Sequence, residues 1–311
     1  RIAHALGINP LSLGRWVNGT SNPRLPKLQM LLDALPQYRS AMLASMTEEF
    51  PHFAALLEGN TANEAVQEIP SAFYTRAISA FVQAPRMQRF WTTSNNILQQ
   101  ALGQLAPRGY GVAITLVQCL PPSQGQKVRS LRERIGRATP PWQTNLEQSA
   151  IFLGAESLAG SAVMNRRPLV IENREERGNL YPAHWVEWEE SAAAYPITLA
   201  GAVAGCLLVS CIYPNFFLPA RRTLLQNYAE LMTVAFEPGD FYAPEIIDLR
   251  LMPYYRLQEQ HLVQFRQRVS DVMLQSARSG QPLDILQAQA VVWKQLEEEF
   301  LELPPYMGEE E

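Results

Sequence analysis

Tyr195-Pro196-Ile197-Thr198-Leu199-Ala200-Gly201-Ala202-Val203-Ala204-Gly205-Cys206-Leu207-Leu208-Val209-Ser210 is the stretch whose reading decides the fold. It lies within the longest apolar run of the chain, Ala192 to Tyr213, yet Pro196, Thr198 and several glycines break that run. A bilayer-spanning helix needs about 20 predominantly apolar residues. Two strands joined near Ala200-Gly201 need only short apolar stretches and a tight turn, so the run reads as a β-hairpin. No other run comes near bilayer length, and no membrane partner is expected.

Working outward, Gly111 to Cys119 is a strand apolar enough to be central, and Val128 to Arg137 alternates basic and apolar residues as a strand with one wet face would. Glu156 to Asn165 reads as a helix, and Arg167 to Glu172 as a turn into a strand. Helices are expected over Arg86 to Leu105 and Phe216 to Phe236. Five pieces then carry a resemblance. They are Glu156-Ser157-Leu158-Ala159-Gly160, Arg167-Pro168-Leu169-Val170-Ile171, Tyr195-Pro196-Ile197, Gly205-Cys206-Leu207-Leu208-Val209, and Phe217-Leu218-Pro219 opening a helix through Leu224, Leu225 and Ala229. Together they resemble the GAF domain, a small-molecule and signal-sensing module, over residues 86–238. The resemblance implies a central antiparallel sheet with flanking helices, a pocket under a capping segment, and dimerisation through the first and last helices.

The sequence names no cofactor. The Asn-Lys/Arg…Phe…Asp-Glu pattern of cyclic-nucleotide-binding members is absent, no Cys is followed by His as in bilin-binding members, and His184 is the lone histidine of this domain. The resemblance places Ala183-His184-Trp185-Val186-Glu187-Trp188 in the capping segment, so Trp142, Trp185, Trp188 and Tyr195 could line an aromatic pocket. Arg129 stands in a basic cluster with Lys127, Arg132, Arg134 and Arg137, suited to an anionic ligand or, more simply, a solvated strand face. Cys206 and Cys211, five apart in one strand, should point to opposite faces and read as small hydrophobes. With no metal cluster and no nucleophile–base pair in the sequence, the expectation is a protein that is not an enzyme.

Residues 1–37 read as helices closing on Gly7 and Gly19, with a third from Pro23 to Leu35. Leu6 to Gly19, then Asn22-Pro23 and Leu28 to Leu35, resemble the Xre/Cro-type helix-turn-helix DNA-binding domain without its first helix. That implies a helix preceding Arg1 in the native chain. The resemblance puts Asn9, Ser12 and Asn18 at phosphates and Pro10, Leu11 and Arg15 at base edges. Arg15 has the strongest readout chemistry, since a guanidinium pairs bidentately with guanine, whereas Pro10 and Leu11 offer only apolar contact. This lobe carries Arg1, Arg15, Arg24 and Lys27 against Asp33, a net +3, in a chain of net charge −4. A basic lobe on an acidic chain is the electrostatic footprint of phosphate contact.

The chain of 311 residues is therefore expected as multidomain α and α+β: a partial helix-turn-helix over 1–37, a helical connector over 38–85, a GAF-like sensor over 86–238, and a C-terminal helical hairpin with acidic tail over 239–311. In the connector, Ser40 to Glu58 and Ser71 to Gln83 have helical spacing, with a hinge at Ala62 to Pro70. Leu257 to Ser276 and Leu283 to Phe300 supply the hairpin, and residues 281–311 carry eight acidic groups against one Lys. Three cysteines are too few for a disulfide framework and suggest a reducing, cytoplasmic setting. Function is expected to be that of a bacterial GAF-containing transcription regulator: a homodimer on double-stranded DNA, switched by a small-molecule ligand. The alternative is a signalling scaffold whose GAF-like domain is a ligand-free interaction module.

Overall fold

A computed structural model describes residues 9–18, 20–21, 68–107, 109–123, 125–144, 146, 151–176 and 188–304. The chain divides into two units, Arg1–Ala65 and Val66–Glu311. In the first, α1 (Pro10–Val17) starts where the sequence dictates: Asn9 Oδ1 accepts from the Leu11 N–H at 3.0 Å, and Pro10 occupies a first-turn position that needs no donor. The helices expected before Gly7 and from Pro23 to Leu35 lie outside the described residues, as do Ser40 to Glu58, so of the expected helix-turn-helix only α1 is described.

In the second unit, α2 (Ser71–Gln83) and α3 (Arg86–Leu105) are separated at Ala84-Pro85, because a residue before proline is driven out of helical geometry. Then follow β1 (Val112–Cys119), β2 (Leu131–Ala138), β3 (Phe152–Leu153), α4 (Leu158–Asn165), β4 (Leu169–Ile171), β5 (Ser191–Leu199), β6 (Ala202–Cys211) and α5 (Pro219–Met232). The strands make one antiparallel sheet in the order β3-β2-β1-β6-β5-β4. The hairpin that decided the fold is β5–β6, closing Leu199 against Ala202 through Ala200 (φ 49°) and Gly201 (φ 85°). Both turn residues take positive φ, the geometry that matches the twist of the flanking strands.

Strand pleat sorts the core into two layers. Ile114, Leu116, Leu207, Val209 and Tyr195 face α2, α3 and α5 and are buried with Phe217, Tyr228 and Ile97. Val117, Cys206, Leu208, Ala192 and Ala194 face the opposite way and pack with Leu158, Ala159 and Val163 of α4. Cys206 and Cys211 fall in different layers, as their spacing requires. The wet face expected of β2 is kept only in part: Arg134 is exposed, but Arg132 and Arg137 are 7% and 8% exposed. The chain beyond the sheet covers that strand, which a reading of β2 by itself could not foresee.

That cover comes from α6 (Tyr255–Leu262), α7 (Phe265–Arg278) and α8 (Ile285–Glu302). The first helix expected for the hairpin is two helices, because Gln264 leaves helical geometry (φ −88°, ψ 5°). Phe265 then stacks on Trp293 with ring centroids 4.1 Å apart. Asp284 and Gln287 form a capping box that opens α8. Val292, Leu296 and Phe300 of α8 are buried with Phe152 of β3, Leu120 and Met252. Gln258 exchanges hydrogen bonds with both the N–H and the C=O of Phe152, at 2.8 and 2.9 Å. The exposed edge of β3 is thereby satisfied rather than left to recruit another chain.

Candidate functional site

The layer on the α4 side of the sheet carries a polar set that an apolar core would not tolerate without purpose. Register places Ala113, Thr115 and Val117 of β1 on this face, with Ala138, Gly136 and Glu133 opposite them on β2 and Ser210, Leu208 and Cys206 opposite them on β6. Ala192 and Ala194 of β5 continue the same surface. Ala113, Gly136, Ala138 and Ala192 give it a floor of small side chains. A Cβ on Gly136 would come within 2.7 Å of Leu146, so that glycine admits the chain laid over the sheet.

Two carboxyl groups converge here. Glu189, 4% exposed, accepts a hydrogen bond from Ser210 Oγ. Glu133, half-buried, has its pKa pushed up to about 8, first by desolvation and then by the negative charge of Glu189. At neutral pH Glu133 therefore holds a proton and can donate, while a neighbouring carboxylate can accept. Thr115, 7% exposed, adds a hydroxyl to the same face. Such a cluster can take the donors and acceptors of a small polar molecule, or hold and pass a proton. The sequence reading missed all four residues. The available signals were Glu133 as the lone acid in a basic strand and the alanine run from Ala192 to Ala194, which leaves room rather than filling it.

The aromatic residues expected at a pocket are distributed differently. Tyr195 is 2% exposed and belongs to the opposite layer, with α5. Trp188 is 53% exposed, in left-handed backbone (φ 70°) beside Glu189. Trp142 is half-buried in the turn after β2, its backbone N–H donating to the Thr139 carbonyl at 3.2 Å. Trp185 and His184 lie outside the described residues. Arg129 pairs with Glu297 at 2.9 Å and with Glu298, and those two carboxylates hold its charge.

The cysteines are all buried, and burial raises each thiol pKa, that of Cys119 to about 12. Thiols held neutral in this way are poor nucleophiles. Among the described residues no group of three or more His, Cys, Asp or Glu could hold a metal ion, and no helix is long and apolar enough to cross a membrane.

The residues assigned to DNA by resemblance lie on α1 and at its two caps, Asn9 and Asn18. Asn9, Pro10, Leu11, Arg15 and Asn18 are exposed, and Ser12 is half-buried. Leu11 presents 73% of its surface.

No protein-family model matches the chain, and no curated protein matches it. Solved structures do. The GAF domain of an Acinetobacter phosphoenolpyruvate-protein phosphotransferase is 14% identical, over 53% of this chain and 90% of its own, with a TM-score of 0.37. Another GAF-domain structure is 13% identical, over 56% of this chain and 93% of its own, with a TM-score of 0.40. The type II free methionine-R-sulfoxide reductase of Thermoplasma acidophilum is 16% identical, over 56% of this chain and 99% of its own, with a TM-score of 0.34. The last corrects the expectation that this chain is not an enzyme: the structures it is similar to include a free methionine-R-sulfoxide reductase.

Proposed function

We propose that this chain is a DNA-binding transcription regulator whose sheet-bearing unit is a GAF-type sensor. The observation that carries the sensing half is the Glu133–Glu189 pair with Ser210 and Thr115, set on a floor of alanine and glycine. Burying two carboxyl groups together is costly unless something compensates them. A small molecule bearing an amine or amide would do so, accepting from Glu133 and donating to Glu189. The DNA half is supported by Arg15, exposed on α1, and by the net +3 of residues 1–37. Dimerisation is supported by an apolar stripe on α2, where Tyr74, Ile78 and Val82 recur at helical spacing and are 37%, 53% and 67% exposed. A ligand that favours one arrangement of the two sensors would then shift the spacing of two DNA-reading heads.

The test is enrichment of genomic fragments by the full-length protein, with Arg15→Ala alongside at matched salt. A two-fold-symmetric site whose enrichment falls about tenfold in the variant supports the reading, that being the discrimination expected of one bidentate contact. Binding that is weak, steeply salt-dependent and indifferent to Arg15 overturns it. The scaffold alternative then takes its place.

A further inference from the structure

A cavity reaches β2 from the C-terminal helices, and Glu133 is on its lining beside Arg132 and Arg134. It is a cleft of about 630 Å³ between the start of α3, strand β2 and the first turns of α8. Its size falls in the range of small-molecule sites, roughly 300–1,000 Å³. Met87, Phe90 and Trp91 form one wall, and Leu286, Ala290 and Trp293 the other.

Arg132 closes the inner end. It is 7% exposed, and its guanidinium lies 3.9 Å from the centroid of the Trp293 ring. Its buried Nε has no hydrogen-bond partner. Burial, and after it the like charge of Arg134, drives the Arg132 pKa well down. The other charged groups of the cleft are mostly engaged. Arg134 lies over Phe90 and feels Asp240, and Arg89 stands 3.8 Å from Glu237. Lys294 donates to the Pro122 carbonyl and to Ser123 Oγ, at 3.4 and 3.3 Å. A cation–π contact offsets only part of the cost of burying a guanidinium, and a buried guanidinium without an anion is strongly disfavoured.

We infer that this cleft is a binding site for a small organic anion. A carboxylate, sulfonate or phosphate would sit against Arg132 and Arg134, and an apolar, preferably planar, body would lie between Trp91 and Leu286. Arg132 supplies the unpaired donor, Trp293 holds its fork in place, and the two apolar walls select the body. The cleft shares Glu133 with the sensing face but not Glu189, Ser210 or Thr115, and its test uses no DNA, so it stands or falls independently of the regulator reading.

The experiment is fluorescence titration of the full chain with 1-anilinonaphthalene-8-sulfonate and with its uncharged analogue N-phenyl-1-naphthylamine. One saturable site with at least about tenfold preference for the sulfonate is expected, as one charge-assisted hydrogen bond would give. Arg132→Met should abolish that preference yet melt no lower than the parent, because it removes a charge that the free protein leaves unpaired. Gln289→Glu, which puts a carboxylate on the cleft wall, should weaken the sulfonate about tenfold and leave the neutral probe unchanged. It decides the matter if Arg132→Met fails to fold. Equal affinity for the two probes, or a sulfonate affinity untouched by both substitutions, overturns the inference.

Discussion

Glu133 shows how much one side chain's environment departs from its letter. A carboxyl raised to about 8 in the folded chain binds its proton more tightly there than in the unfolded chain, whose value is near 4.5. The unfolded state therefore carries fewer protons between about pH 4.5 and 8, and this group's contribution to stability falls as pH rises through that window. Glu133→Gln should flatten the fall. Above pH 8 the variant should melt a few degrees higher than the parent, since about 1 kcal/mol moves a domain of this size by roughly 2–4 °C. Scanning calorimetry at pH 5 and pH 8.5 checks this, and an unchanged difference between the two pH values would contradict it. Glu133 itself was plain in the sequence, but its partner was not. Glu189 lies 56 positions away, and only the sheet brings the two carboxyls together.

At the scale of elements, β6 is the clearest case of sequence writing geometry. Gly205 has φ 155° and pairs with Gln118, so close that a Cβ would come within 2.0 Å of the Val117 carbonyl oxygen. The central β1–β6 ladder therefore depends on that glycine. Gly205→Ala should cost about 3 kcal/mol, the upper end for overpacking. That corresponds to a melting temperature lower by roughly 6–12 °C, readable by circular dichroism. A loss below 2 °C would mean that the ladder relaxes there freely. The hairpin, α2, α3 and α8 were all legible from apolar period, proline and caps. The break at Gln264 was not, because Leu257 to Ser276 keeps helical spacing through it, and what favours the break is a stacking partner, Trp293, on another helix.

At the scale of the whole molecule, the C-terminal helices belong to the sheet unit. Phe300 is fully buried, its ring edge-on to Phe152 at 5.1 Å, and Glu297 accepts from Ser130 Oγ at 2.6 Å and from Arg129 at 2.9 Å. Residues 66–304 should thus melt in one transition. Phe300→Ala should lower that transition, at a cost of about 3–5 kcal/mol, rather than split off an earlier one. Two resolved calorimetric peaks from the sheet and the hairpin would refute this.

The sequence by itself determined β1, β2, β4, β5 and β6, helices α2 to α5 and α8, the tight turn at Ala200-Gly201 and the sorting of Cys206 from Cys211. Apolar period, backbone φ and capping are properties of a few neighbouring residues. Tertiary structure alone decided that Glu133 meets Glu189, that Tyr195 turns away from them, and that Arg132 is buried against Trp293. Those outcomes depend on strand register and on which distant helix covers which edge. Burial and charge pairing are sums over neighbours in space, and the order of residues along the chain does not contain them.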